Sequence, residues 1–300
     1  MATTANRALV QPIYPPQTDP TTPPHNKLKF QPMPNPRRPI PQPAQQPTLT
    51  LFAIGMVGLG ILALLYRDFA LVWQPVPAWV PARAAIAVAT GVLMLLCGLG
   101  LLLRPTAKLS AQILFPYLIA WALLKLPDLL TAPLVEGSWL GFGELAMLLA
   151  GGWTLFARLA PVSPASPLAF ATGNRGVRLA RILFALWVIP VGLSHFVYVD
   201  GTAGFIPAWI PFHRFFAYLT GAGHIASGLG VLFGILPRAA AWAEAAMLAI
   251  FTLAIWAPAI AAAPATRLLW TAFFISWAIA AAVAVVARNI PPKLPTAPNS

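Results

Sequence analysis

The sequence predicts an all-α polytopic membrane protein, with eight transmembrane helices arranged as two parallel four-helix repeats. Three observations predict it. Of the 300 residues, 59% are hydrophobic and only 9% are charged. An average soluble domain is about 25% charged, so too little polar surface remains here to cover a water-exposed globule. Eight apolar runs come close to the roughly 20 residues that cross a hydrocarbon core. One stretch also occurs twice: Val76–Gly100 reads VPAWVPARAAIAVATGVLMLLCGLG, and Ile206–Gly230 reads IPAWIPFHRFFAYLTGAGHIASGLG.

Taken in order, residues 1–48 hold 13 of the 33 prolines. Proline lacks an amide donor and restricts the residue before it, so neither helix nor sheet propagates there. We expect a disordered cytoplasmic tail, inert rather than recruiting partners through its PxxP spacings. No apolar core follows the first few residues, which argues against a signal peptide. The first module spans 49–160, with helices expected at about 49–66, 83–103, 109–130 and 140–159. Pro127 is expected to close the third. A linker, 161–178, is rich in Pro, Ser and Gly. The second module spans 179–288, with helices expected at about 179–198, 214–235, 239–261 and 268–287. A disordered tail, 289–300, ends the chain.

Lys and Arg set the expected orientation. With a cytoplasmic N-terminus, fourteen of the 19 basic residues fall on the cytoplasmic side, as the positive-inside rule requires. Both termini are then cytoplasmic, in a bacterial plasma (inner) membrane. Because each module has an even number of helices, both enter the membrane from the same side, which makes a parallel repeat. The Pro-x-Trp-x-Pro turns, Pro77 to Pro81 around Trp79 and Pro207 to Pro211 around Trp209, lie at the outer surface with each Trp at headgroup level.

The net charge of +12 does not indicate nucleic acid, because the basic residues punctuate apolar runs instead of clustering. Cys97 is the only cysteine, so an internal disulfide, a CxxC pair and a cysteine-ligated metal are excluded. The four histidines form no metal motif, and no phosphate loop, nucleophile elbow or HExxH is present. No motif requires a cofactor.

The candidate polar site is the set of ionisable groups inside the helices, which are costly in a bilayer and so suggest function by default. These are His195 and Glu144 in the outer half, His224 about halfway along the sixth helix, and Glu244 early in the seventh. His195 and Glu144 are expected around one outward-facing pocket with Tyr198 and Asp200. Glu244 is close enough to its helix start to snorkel to the interface. For His224 a structural and a functional role weigh equally. Gly91, Gly98, Gly221 and Gly228 are read as helix-packing positions.

Gly192-Leu193-Ser194-His195-Phe196, followed by Ile206-Pro207-Ala208-Trp209-Ile210-Pro211 and Tyr218-Leu219-Thr220-Gly221, resembles the DoxX-like family of four-helix membrane proteins. The resemblance covers about 180–288, and the first half looks like a diverged second copy. His195 carries over on the Ser-His-Phe step. Many relatives place an acidic residue after the Thr-Gly step, where this chain has Met94 and His224. Relatives include subunits of a thiosulfate:quinone oxidoreductase and a protein that matures methylamine dehydrogenase. The resemblance therefore implies an accessory or lipid- or small-molecule-binding membrane subunit, more a binder than an enzyme. Its partners would be the bilayer and a membrane protein or quinone. A quinone-linked redox subunit is the first alternative and a small-solute transporter the second. The transporter reading lacks paired midplane prolines, because Pro190 is set against Gly60.

Overall fold

The structure is a computed structural model that describes residues 47–71, 73–160 and 162–291. The tail read as disordered lies almost wholly outside these residues. Among them are ten α-helices and no strand. The first half contains α1 (Pro47–Tyr66), α2 (Arg83–Leu102), α3 (Arg104–Thr131) and α4 (Glu136–Leu159). A 3-10 turn, Ala169–Ala171, leads into α5 (Gly173–Val197). Then come α6 (Val199–Phe205), α7 (His213–Leu232), α8 (Pro237–Phe251), a π-helical turn (Thr252–Trp256), α9 (Ala257–Ala262) and α10 (Arg267–Arg288). Eight spans are long and apolar enough to cross a membrane, with α8 to α9 counted as one (Pro237–Ala262). The protein is a multi-pass membrane protein.

Several expectations are corrected. Pro127 does not close α3, which continues to Thr131 with Pro116 and Pro127 inside it. Proline costs a helix one backbone bond and a local clash, and transmembrane helices absorb this through their neighbours. The span expected at 239–261 is not uniform, because a π turn interrupts it. Residues 199–205, read as loop, form α6. The C-terminal tail begins later than expected: Asn289 accepts a hydrogen bond from Arg158 Nε at 2.9 Å, and Ile290 is buried.

Within each half, successive spanning helices pack together: α1 on α2, α2 on α3 and α3 on α4, then α5 on α7, α7 on α8 and α8 on α10. Across the halves α4 lies against α5, α10 lies against α1, and α4 meets α10. The first helix of each half thus rests on the last helix of the other. Gly151 of α4 faces Ala282 of α10, where no larger side chain fits.

Glycine sets the tightest approaches. Without a hydrophobic drive between helices in lipid, association depends on backbones coming close, and small residues permit that. A Cβ on Gly60 would lie 2.6 Å from the Leu95 amide nitrogen and 2.8 Å from the Gly91 carbonyl. A Cβ on Gly192 would lie 2.6 Å from the Gly221 carbonyl. Gly98 similarly meets the Ala53 carbonyl and Val57, and Gly228 meets the Ala185 carbonyl and Ile189. All four glycines read as packing positions sit at such contacts.

The halves match at several contacts, and positions that match in this way are called counterparts. Gly91 and Gly221 stand 130 positions apart, while their partners Gly60 and Gly192 stand 132 apart. Trp139 Nε1 donates to the Pro133 carbonyl at 2.9 Å, and Trp270 Nε1, 131 positions on, donates to Pro264 at 2.8 Å. Ala82 and Phe212, at φ 53° and 58°, take the same left-handed conformation after each Pro-x-Trp-x-Pro turn. In this register Pro190 stands opposite Gly58, not Gly60, whose place is taken by Gly192.

Gly60→Ala should lower thermal stability in detergent by about 1–3 kcal/mol, the usual range for overpacking, because the obstructing atoms are backbone. Gly201→Ala, with nothing within 4 Å of the added carbon, should leave the melting curve unchanged.

Candidate functional site

The site begins at the Gly192–Gly221 contact. With no Cβ on Gly221, His195 on α5 comes against α7, its own Cβ 2.7 Å from the vacant position. His195 Nδ1 donates to Thr220 Oγ1 at 3.0 Å and to the Ala217 carbonyl at 3.3 Å. The Thr220 hydroxyl spends its proton on the Phe216 and Ala217 carbonyls, at 2.8 and 3.0 Å. Both partners of Nδ1 therefore accept, which places the ring proton on Nδ1 and leaves Nε2 as an acceptor. The His224 ring lies edge-on to that of His195, centroids 5.0 Å apart.

His224 Nδ1 donates to Glu244 Oε1 on α8 at 2.6 Å, shorter than the usual N–H···O distance. Both side chains are buried, at 1% and 0% exposure. Glu244 therefore does not snorkel; it faces α7 and is held there. Its second oxygen, Oε2, is buried with no hydrogen-bond partner. Among the described residues neither imidazole Nε2 has a hydrogen-bond partner.

These groups border a cavity of about 750 Å³ enclosed by α4, α5, α7, α8 and α10. Glu144 lines it from α4, opposite His195, His224 and Phe251, and Ser276 lines it from α10. The structure thus joins three of the four candidate residues at one wall or another, with Glu244 directly behind His224. Tyr198 and Asp200 do not join them. The Tyr198 hydroxyl accepts from the Gly137 amide at 3.1 Å, and Asp200 pairs with Arg214 at 3.3 Å while 80% exposed. Neither lines the cavity.

The turn residues divide. Trp79 and Trp209 are 80% and 79% exposed, and Pro77, Pro81 and Pro211 lie in the same two turns. Pro207 and Ile210, however, border the cavity mouth. Phe205 of α6 and Trp256 of the π turn meet there with ring centroids 5.4 Å apart. Ser194 and Thr220 stand in the motifs that carry the resemblance but were not among the candidate polar residues, and Phe251 and the π turn carried no signal in the sequence. Among the described residues no cluster of three or more His, Cys, Asp or Glu could hold a metal.

Residues 176–261 match the DoxX family model. That stretch of the second half is DoxX-like, within a multi-pass membrane protein. No curated protein and no solved structure matches it. The matched stretch supplies His195, His224, Glu244 and the π turn. Glu144 and the α10 wall come from outside it.

The corresponding space in the first half is filled. The segment after α1 folds inward, burying Phe69 and Trp73 at 1% exposure each. Asp68 anchors it, pairing with Arg83 and, at 3.0 Å, with Arg267 Nη1. Arg267 Nη2 also donates to the Phe69 carbonyl at 2.7 Å. Partial burial works against the Asp68 charge, but Arg267, the Phe69 amide and Arg83 hold its carboxyl below the ordinary 3.8. The counterpart of Asp68 is Asp200. Arg267 stands three residues before Trp270, and Glu136 stands three before Trp139. Where the start of α10 offers Arg267 to Asp68, the start of α4 offers Glu136, whose side-chain oxygens are buried and unpartnered. Asp200 stays out at the surface, paired with the exposed Arg214 instead, and the DoxX-like half stays open.

Glu136→Arg should therefore pair with Asp200 and draw the segment after α5 into the cavity. In a Cys97→Ala background, a Ser194→Cys reporter should react at least severalfold more slowly with a membrane-permeant thiol reagent. Unchanged labelling would show that charge does not hold the cavity open.

Proposed function

We propose that this DoxX-like protein is a membrane-embedded binding protein. Its two halves are copies of one four-helix module, and its ligand site is the cavity of the second. The ligand is a largely apolar small molecule with a hydrogen-bonding head group. The apolar body fits walls such as Met147, Val191 and Phe251, and the head meets His195, His224 and Glu144. Matched glycine contacts, indole hydrogen bonds and left-handed residues support the two-copy reading.

One observation carries the functional reading: the buried His224–Glu244 pair. Its counterparts at the 130-residue spacing are Met94 and Leu114, both buried at 1% exposure. The module therefore folds with an apolar pair at these positions. Taking ionisable groups out of water costs free energy unless they are fully partnered, and replacing a buried polar pair by apolar residues of similar volume is often neutral or stabilising. Stability does not explain His224 and Glu244; a ligand does.

The double variant His224→Met/Glu244→Leu should melt at or above the wild-type temperature. Organic extraction and mass spectrometry of the gently solubilised protein should then find a stoichiometric small molecule in wild type and none in the variant. Loss of folding in the variant would make the pair structural and overturn the reading. A quinone in the wild-type extract would move the assignment to the redox alternative.

The proposed setting is a bacterial plasma membrane with both termini cytoplasmic, supported by the bias of Lys and Arg and by the even number of spans. A Trp209→Cys reporter in a Cys97→Ala background should label from the periplasmic side of intact cells. Labelling only after cytoplasmic access would invert the topology.

A further inference from the structure

The filled half describes what the open half is built to hold. Phe69 lies edge-on to Trp121, centroids 5.6 Å apart. Beside it, Leu59, Leu62, Ala63 and Thr271 enclose a residual void of only about 10 Å³. By the register set at the glycine and indole contacts, their counterparts are Val191, Ser194, His195 and Leu140, and that of Trp121 is Phe251. All five counterparts line the 750 Å³ cavity. A phenyl ring of the chain itself thus occupies, in one half, the volume that stands open in the other.

From this we infer that Phe69 is a built-in stand-in for a ligand, and that the DoxX-like half takes a planar aromatic ring bearing a hydroxyl group. This inference rests on the binding reading above and narrows its ligand class. A flat ligand suits these walls: the His195 and Phe251 rings that line the cavity lie near-parallel, with centroids 6.3 Å apart. The hydroxyl follows from the substitutions between halves. Ala63, beside the Phe69 ring, becomes His195, whose Nε2 accepts. Met94 becomes His224, backed by Glu244. An acyl chain would use none of these polar groups, and an unsubstituted ring would leave His195 Nε2 without a donor. Aromatic pairs gain beyond simple area burial when they meet edge-on or offset, as Phe69 and Trp121 do.

The test uses the full chain in nanodiscs with three probes: 2-naphthol, its saturated analogue decahydro-2-naphthol, and naphthalene. Empty nanodiscs correct for partitioning into lipid. 2-Naphthol should bind roughly three- to tenfold more tightly than the saturated analogue, the range expected of one good aromatic contact. It should also bind more tightly than naphthalene. Phe251→Leu should narrow the gap to the saturated analogue, and His195→Phe should narrow the gap to naphthalene. Equal wild-type affinity for 2-naphthol and decahydro-2-naphthol overturns the aromatic assignment while leaving the binding reading in place. No binding of any probe overturns both. The wild-type comparison needs no variant, so a misfolded mutant cannot obscure the answer.

Discussion

The close approach of α5 and α7 at Gly192 and Gly221 is the constraint on which the rest depends. In lipid, helices gain little from hiding apolar surface and associate through tight backbone contact. Here that contact does a second thing. Because Gly221 offers no Cβ, the His195 side chain passes over α7 and reaches Thr220 and the Ala217 carbonyl. That fixes the imidazole beside His224. Packing and site geometry are therefore the same feature of the sequence, and a side chain at Gly221 would disturb both.

The two halves show how one architecture supports different interiors. Gly60 and Gly91 make the same approach in the first half, yet no polar group follows from it, because Ala63 stands where His195 would. What fills that half is the chain itself, pinned by Asp68, Arg83 and Arg267. Replacing the arginine at the start of the last helix by Glu136 removes the pin, because an acidic side chain cannot hold Asp200. The charge at that helix start is one of several differences, for in the same register Phe69 falls on Gly201 and Arg83 on His213.

How much of this was legible in the sequence depends on the kind of information each feature needs. The spans were legible, since length and apolarity decide them and the bilayer imposes helix. Gly91, Gly98, Gly221 and Gly228 were legible because small residues recurring at one offset have few other uses. Glu244 was misread for a definite reason. Its place along the chain gives depth in the helix, but the face it presents depends on how α8 is rotated against α7. The joining of His195 to Glu144 was anticipated from depth alone, while Tyr198 and Asp200 at similar depth went to partners of their own, the Gly137 amide and Arg214. The inward fold of Phe69 and Trp73 left no sequence signal. It depends on Arg267, nearly 200 positions away.

The polar groups give the strongest argument that the open half is a site and not a packing defect. A void lined by Leu, Ile and Phe alone would be an ordinary imperfection, stable when dry. This one is bordered by two imidazoles with free nitrogens and by a carboxylate on an adjacent span. Behind them, Glu244 is buried and half unsatisfied. Each of these costs stability in a bilayer. The same fold, a few helices away, avoids the cost with Ala63, Met94 and Leu114. A module that builds both interiors from one set of helices did not need the expensive one to fold. On the binding reading proposed above, a ligand in the cavity accounts for that expense.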